Sequence, residues 1–215
     1  PPEVQTEVSM GLEHPNNAAA HYNLGIAYSK SGQYQDAIAS YKEALRIQPD
    51  DADAHYNLGY TYADLGQYQD AIASYKEAIR IKPDYAAAHY NLGNAYQKLN
   101  RYQDAISHYE ETIRISPTHP KIYEAHHNLG MSYRKLGHYK NSVASYREAI
   151  RIKPSASSYW GLGNTYKDMN LNKEAVAEYK EALRIKPDLT VVRNLLNELE
   201  QKIAQEKSAP PVRQA

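Results

Sequence analysis

The chain has 215 residues with 25 Lys plus Arg against 25 Asp plus Glu, a formal net charge of zero that removes the simplest argument for a nucleic-acid or anionic-membrane partner. It has no cysteine, which excludes disulfides, thiolate metal sites and cysteine nucleophiles. No apolar run approaches the roughly 18 residues that read as a bilayer span. Aromatic usage is lopsided, with 21 tyrosines, one tryptophan and no phenylalanine.

Taken in chain order, residues 1–17 come before a strict internal repetition. The pair Leu-Gly, with Tyr three residues after the glycine, recurs at Leu24-Gly25, Leu58-Gly59, Leu92-Gly93, Leu129-Gly130 and Leu162-Gly163. The glycines are spaced 34, 34, 37 and 33 residues apart, a period that predicts stacked helix pairs rather than one globular core. Ala37, Ala71, Ala105, Ser142 and Ala175 form a small-residue column, and Pro49, Pro83, Pro117, Pro154 and Pro187 close the units. The predicted units are 18–51, 52–85, 86–119, 123–155 and 156–189, with an insertion at 120–122. Pro15 precedes Pro49 by one period, so 3–14 falls where the second helix of an earlier unit would lie, although Val4, Val8, Met10 and Leu12 fit a helical face poorly.

One unit shows the physics. In 52–85, Asp51 or Asp53 caps a helix carrying Tyr56, Leu58, Tyr62 and Leu65 on one face. Gly66 ends it, in a column where Gly32, Gly66 and Gly137 alternate with Asn100 and Asn170, the two residue types that best tolerate the left-handed conformation. A second helix is predicted from Tyr68 to Ile81 with Ala71, Ile72, Tyr75, Ala78 and Ile79 on one face, and Pro83 forbids its continuation. After the fifth unit, Leu189, Val192, Leu196, Leu199 and Ile203 mark a further helix over 190–206, too short for a sustained coiled coil and read as a cap. Residues 207–215 read as flexible tail.

These columns resemble the tetratricopeptide repeat, whose signature is Trp-x2-Leu-Gly-x2-Tyr, then Ala-x3-Phe, then Pro. The resemblance covers 18–187 with two systematic departures. The Trp column holds His21, His55, His89, His126 and Tyr159, and the Phe column holds Tyr41, Tyr75, Tyr109, Tyr146 and Tyr179. It implies an all-α, right-handed α-solenoid of five helix-turn-helix units with a C-terminal capping helix, whose first helices line a concave groove. The candidate groove residues are then the aromatic column Tyr22, Tyr56, Tyr90, His127 and Trp160, the amide row Asn23, Asn57, Asn91 and Asn128, broken by Gly161, and Tyr60, Asn94 and Asn164 beyond the glycines, with Arg134 and Lys167. An Asn ladder offers both donor and acceptor to an extended main chain, and a similar row in the O-linked N-acetylglucosamine transferases holds extended polypeptide. The competing reading is that these amides tie neighbouring helices together.

The clamp with which some members of this family hold acidic C-terminal tails of chaperones maps to Tyr22, Ile26, Asn57, Ala87 and Asn91, or to Tyr90, Asn94, Asn128, Ser157 and Gly161. Neither set contains a cation, so a carboxylate-clamp chaperone-tail adaptor is not expected. The insertion before Leu129 is either a tolerated loop or the cause of a widened groove near His127, Asn128 and Arg134. One histidine per stacked unit does not converge on one ion, so no metal and no cofactor are expected. No phosphate loop or nucleophile elbow is present.

The expected function is a non-enzymatic protein-interaction module binding a protein or an extended peptide, with no nucleic acid. Self-association through the repeat ends or the Leu189–Ile203 stripe is one alternative. The substrate-targeting region of a larger enzyme is another, since the chain begins Pro-Pro within repeat phase. A soluble, cytoplasmic setting is expected, with an extracytoplasmic one open if a targeting segment was removed.

Overall fold

The computed structural model describes residues 17–118 and 120–208; the helix remnant expected over 3–14 and most of the expected tail lie outside them. The described residues form eleven α-helices and no strand. They belong to two compact units, Pro1–Pro117 and Thr118–Ala215. The first unit contains α1 (Ala18–Lys30), α2 (Tyr34–Ile47), α3 (Ala52–Asp64), α4 (Tyr68–Ile81), α5 (Ala86–Lys98) and α6 (Tyr102–Ile115). The second contains α7 (Ile122–Lys135), α8 (Tyr139–Ile152), α9 (Ala156–Asp168), α10 (Asn172–Ile185) and α11 (Thr190–Ser208). Each odd helix from α1 to α9 pairs with the even helix that follows it, and pairs stack on their neighbours within a unit. No helix among the described residues is long and apolar enough to cross a membrane.

Local chemistry sets the helix ends. Asn17 accepts from Ala20 N, Asp51 from Asp53 N and Ala54 N, and Ser155 from Ser158 N, each satisfying donors that the first helical turn leaves open. At the other end, Gly32, Gly66 and Gly137 have φ of 77°, 73° and 76°, and Asn100 and Asn170 both have 58°. This left-handed residue lets the next N–H reach back to the repeat tyrosine. Gln33, Gln67, Arg101, His138 and Leu171 donate to the carbonyls of Tyr28, Tyr62, Tyr96, Tyr133 and Tyr166, all at 2.9 Å.

The Leu-Gly glycine serves the core, not a turn. A Cβ built on Gly25, Gly59, Gly93, Gly130 or Gly163 would stand 2.6, 2.8, 2.7, 2.9 or 2.6 Å from the ring of Tyr41, Tyr75, Tyr109, Tyr146 or Tyr179 respectively. Those rings, on the second helix of the same pair, are 0–2 % exposed. Glycine on one helix and tyrosine on the other therefore form one packing device, repeated five times. The small-residue column supports it: Ala37, Ala71, Ala105, Ser142 and Ala175 are fully buried, and Ser142 Oγ pairs with Thr165 Oγ1 of α9 at 2.9 Å.

Tyrosine where the family signature has phenylalanine is explained in two pairs. Tyr109 donates its hydroxyl to Asn94 Oδ1 at 2.8 Å, and Tyr179 donates to Asn164 Oδ1 at 2.7 Å. Both asparagines sit one residue past the Leu-Gly glycine, so the hydroxyl crosses from the core to the first-helix surface. Burial pushes the Tyr179 phenol up to about 12, so it stays protonated and able to donate.

The cap takes up the apolar stripe of α11. Val192, Leu196 and Leu199 are buried in one cluster with Tyr179 and Ala182 of α10, and Leu189 and Leu195 pack against it. Lys180 and Glu200 join the two helices at 2.8 Å, an exposed pair that contributes little. The stripe that could have served a second copy is thus largely spent within the unit. Helix α11 runs to Ser208, two residues into the segment expected as tail.

One polar cluster makes stability pH-dependent. His89 Nε2 lies 3.0 Å from the Pro83 carbonyl, which can only accept, so that nitrogen carries a proton, and His89 Nδ1 faces His108 Nδ1 at 3.1 Å, one of the two donating to the other. The His108 ring also stacks on Tyr96, at 5.6 Å between centroids and 7° between planes. Burial, then the neighbouring His89, lowers the His108 pKa to about 4, with Asp104 and Glu111 opposing and Lys76 assisting. An unfolded histidine titrates near 6.5. Between that value and about 4 the unfolded chain takes up a proton that the folded chain refuses, so acidification through this window destabilises the fold and the loss levels off below it. His126 and His127, also lowered by burial, act in the same direction. The melting temperature is therefore expected to fall from pH 7 to pH 5, and to fall less in His108→Gln; equal slopes for the two proteins would contradict the assignment.

Candidate partner-binding cavity

Within each unit the odd helices approach one another across the repeat boundary, α1 to α3, α3 to α5 and α7 to α9. Their shared surface is where the candidate residues stand. The amide row is partly engaged there. Asn57 Nδ2 donates to the Tyr22 hydroxyl at 2.9 Å, and Asn91 Nδ2 donates to the Tyr56 hydroxyl at 3.0 Å. Each bond joins consecutive odd helices, so these amides tie the array together, while their Oδ1 atoms accept nothing among the described residues.

The aromatic column also packs inward. Tyr22 lies on Tyr41, Tyr56 on Tyr75 and Tyr90 on Tyr109, with ring centroids 6.0, 5.9 and 6.1 Å apart. Tyr90 is only 5 % exposed. Tyr60, by contrast, is 45 % exposed and lines a cavity of about 180 Å³ with Asp64, Tyr68, Tyr75, Asn91, Asn94 and Lys98. Burial raises the Asp64 carboxyl in that wall.

The second unit carries a larger cavity, about 260 Å³, between α7 and α9 with Tyr146 of α8 contributing to its wall. His127, Met131, Arg134, Ser157, Trp160, Gly161 and Asn164 complete the lining. The glycine that interrupts the amide row belongs here for a steric reason: a Cβ on Gly161 would collide with the end of the Tyr146 ring. His127 sets an edge against Tyr146 at 5.3 Å, and its Nδ1 is 3.0 Å from Ser158 Oγ. Arg134 Nη1 donates to Asp168 Oδ2 at 2.8 Å. Two buried donors in this lining, Arg134 Nε and Trp160 Nε1, have no partner among the described residues. A buried orphan N–H costs about 1–3 kcal/mol, so a native site that keeps two calls for an explanation. Among the described residues, no group of three or more His, Asp or Glu side chains is placed to hold a metal ion.

Sequence comparison accounts for the repetition. Three family models, each described as tetratricopeptide repeat, match the chain, one over 10–52 and 22–86, one over 84–155 and one over 156–189. The chain belongs to the tetratricopeptide repeat family. No curated protein matches it. Among solved structures it is similar to the MamA protein, with 28% identity, a TM-score of 0.74, and coverage of 90% of this chain and 97% of that one. It is also similar to MamA of Desulfovibrio magneticus RS-1, with 20% identity, a TM-score of 0.75, and coverage of 80% and 97%. YrrB, a tetratricopeptide repeat protein with an unusual peptide-binding site, aligns at 20% identity, a TM-score of 0.79, and coverage of 92% and 99%. The last two likenesses show the fold alone.

Within the tetratricopeptide repeat frame the candidate residues separate. Of the fourteen, His127, Arg134, Trp160 and Asn164 meet at the α7–α9 cavity, and Tyr60, Asn91 and Asn94 meet at the α3–α5 cavity. Tyr22, Tyr56 and Asn57 are half-buried in inter-helix contacts, Tyr90 is buried, Asn23 is exposed on α1, and Asn128 and Lys167 are half-buried on α7 and α9 outside both linings. Sequence reasoning missed Tyr146 as a cavity wall and Asp168 as the partner of Arg134. It missed as well that histidines in the tryptophan column bond to the preceding repeat's proline: His55 Nε2 lies 2.9 Å from Pro49 O, as His89 lies near Pro83 O. The signal was present, since both prolines stand six residues ahead of their histidines.

Proposed function

We propose that this chain is a non-catalytic protein-interaction module that holds an extended partner segment against its odd helices. A pure tetratricopeptide repeat fold is typical of such modules. The observation that carries the proposal is the α7–α9 cavity, open to the odd-helix surface, with aromatic and thioether walls and two hydrogen-bond donors that no other described residue satisfies. Large rigid aromatic side chains give contact area at low entropic cost, and an extended partner segment brings the missing acceptors. The free Oδ1 atoms of Asn57 and Asn91 offer acceptors to a segment in the first unit. Balanced charge and a spent α11 stripe give nucleic acid and self-association less support.

Trp160 is the sole tryptophan and lines the cavity, so intrinsic fluorescence is a built-in reporter. Selecting a displayed library of randomised, end-blocked peptides on the intact protein is expected to yield binders that shift or quench Trp160 emission. Binders that leave the emission unchanged would move the binding surface elsewhere, and a failure to select any would remove the peptide-binding reading.

A further inference from the structure

The chemistry of the α7–α9 cavity narrows what enters it. Arg134 supplies its one cationic group, and the guanidinium is only partly used. Nη1 holds Asp168 Oδ2 at 2.8 Å, whereas Nε is buried without a partner and Nη2 bonds to nothing among the described residues. Nε–H and Nη2–H lie side by side on one edge of the planar group, the fork that receives both oxygens of a carboxylate. The indole N–H of Trp160, which can only donate, likewise has no partner among the described residues. Met131, Tyr146 and Trp160 wall the approach with a thioether and two rings, surfaces suited to methylene groups and not to the polar main chain at a peptide terminus. Arg134 is absent from the positions of the family's chaperone-tail clamp, so this is a different use of the surface.

We infer that the cavity takes the side chain of a glutamate or aspartate within the partner segment, its carboxylate seated on the Nε–Nη2 edge of Arg134 with the Trp160 N–H as a further donor. This inference rests on the peptide-binding reading and deepens it. Asp168 gains a role from it: in the free protein it neutralises Arg134, and an incoming carboxylate must share the guanidinium with it. Removing that competing charge while keeping an acceptor for Nη1 therefore strengthens binding.

The test uses end-blocked peptides selected on the intact protein, read by Trp160 fluorescence. An acidic residue is expected at one fixed position of the selected sequences, and its change to the amide is expected to weaken binding about tenfold or more. Arg134→Lys, which keeps the charge and loses the fork, weakens it comparably, while Asp168→Asn tightens it several-fold, a gain that a merely structural role for Asp168 would not produce. Circular dichroism establishes that both variants fold. Selected peptides that shift Trp160 yet lack an acidic residue, or tolerate the amide, overturn the carboxylate assignment and leave peptide binding standing. Enrichment only when the library ends in a free carboxylate assigns the cavity to a chain terminus and overturns the side-chain inference. Failure to select any peptide overturns both.

Discussion

Replacing Tyr109 by alanine is expected to lower stability by about 3–5 kcal/mol, the range for emptying a buried aromatic site, and to reverse the effect of a second substitution on the facing helix. Tyr109 is 0 % exposed, and the three atoms nearest to a Cβ on Gly93 all belong to its ring, at 2.7, 2.9 and 3.1 Å. In the native background Gly93→Ala overpacks this contact at about 1–3 kcal/mol, against a helix-propensity gain of about 0.5–1 kcal/mol; the net effect is destabilising. With the ring gone the clash disappears and only the propensity gain remains, so Gly93→Ala becomes stabilising in Tyr109→Ala. Urea unfolding of the four proteins gives the coupling directly. Additivity within about 0.5 kcal/mol would mean that glycine and tyrosine are not one device. Tyr109→Phe separates the hydroxyl from the ring: it removes the bond to Asn94 Oδ1 and costs about 1 kcal/mol.

Two neighbouring valines test the cap. Val192 is 0 % exposed against the Tyr179 and Ala182 cluster, and Val191 is 59 % exposed on the same turn of α11. Val192→Asp forces an unpaired carboxylate into that contact, at a cost of about 4 kcal/mol or more, or else strips α11 from α10. Val191→Asp stays within about 0.5 kcal/mol of the native protein. Hydrogen exchange reports which outcome prevails, because detachment removes protection from α11 amides first and exposes the apolar face of α10 to dye. The array depends on α11 in this way because an apolar helix face must be buried by the next element of the stack, and α11 is what covers the Tyr179 and Ala182 cluster. Equal unfolding midpoints for the two variants would show that α11 does not cap the unit.

Much of the fold was legible in the chain. The period of the Leu-Gly pairs located the helix pairs, the second helix predicted from Tyr68 to Ile81 is α4, and the Gly and Asn column coincides with the five residues of positive φ. These features are local or periodic: each depends on propensities and backbone sterics within one or two turns, which composition and spacing express directly.

The partnerships between helices were not legible, for a physical reason that differs from site to site. That Gly93 exists to admit Tyr109, sixteen residues on, depends on how closely two consecutive helices approach, and nothing local records an interaxial distance. Whether Asn57 faces a ligand or ties to Tyr22 depends on the angle at which one pair stacks on the next, and both uses satisfy the same amide. The cavity is the extreme case. His127, Arg134, Tyr146, Trp160 and Asp168 come from three helices, so their meeting point, the shared guanidinium and the two unpaired donors follow from the stacking of α7, α8 and α9 alone. By itself the sequence determined a tetratricopeptide array with a cap, because periodic burial dictates helices; tertiary packing decided which side chains became structure and which were left with hydrogen-bonding capacity unspent.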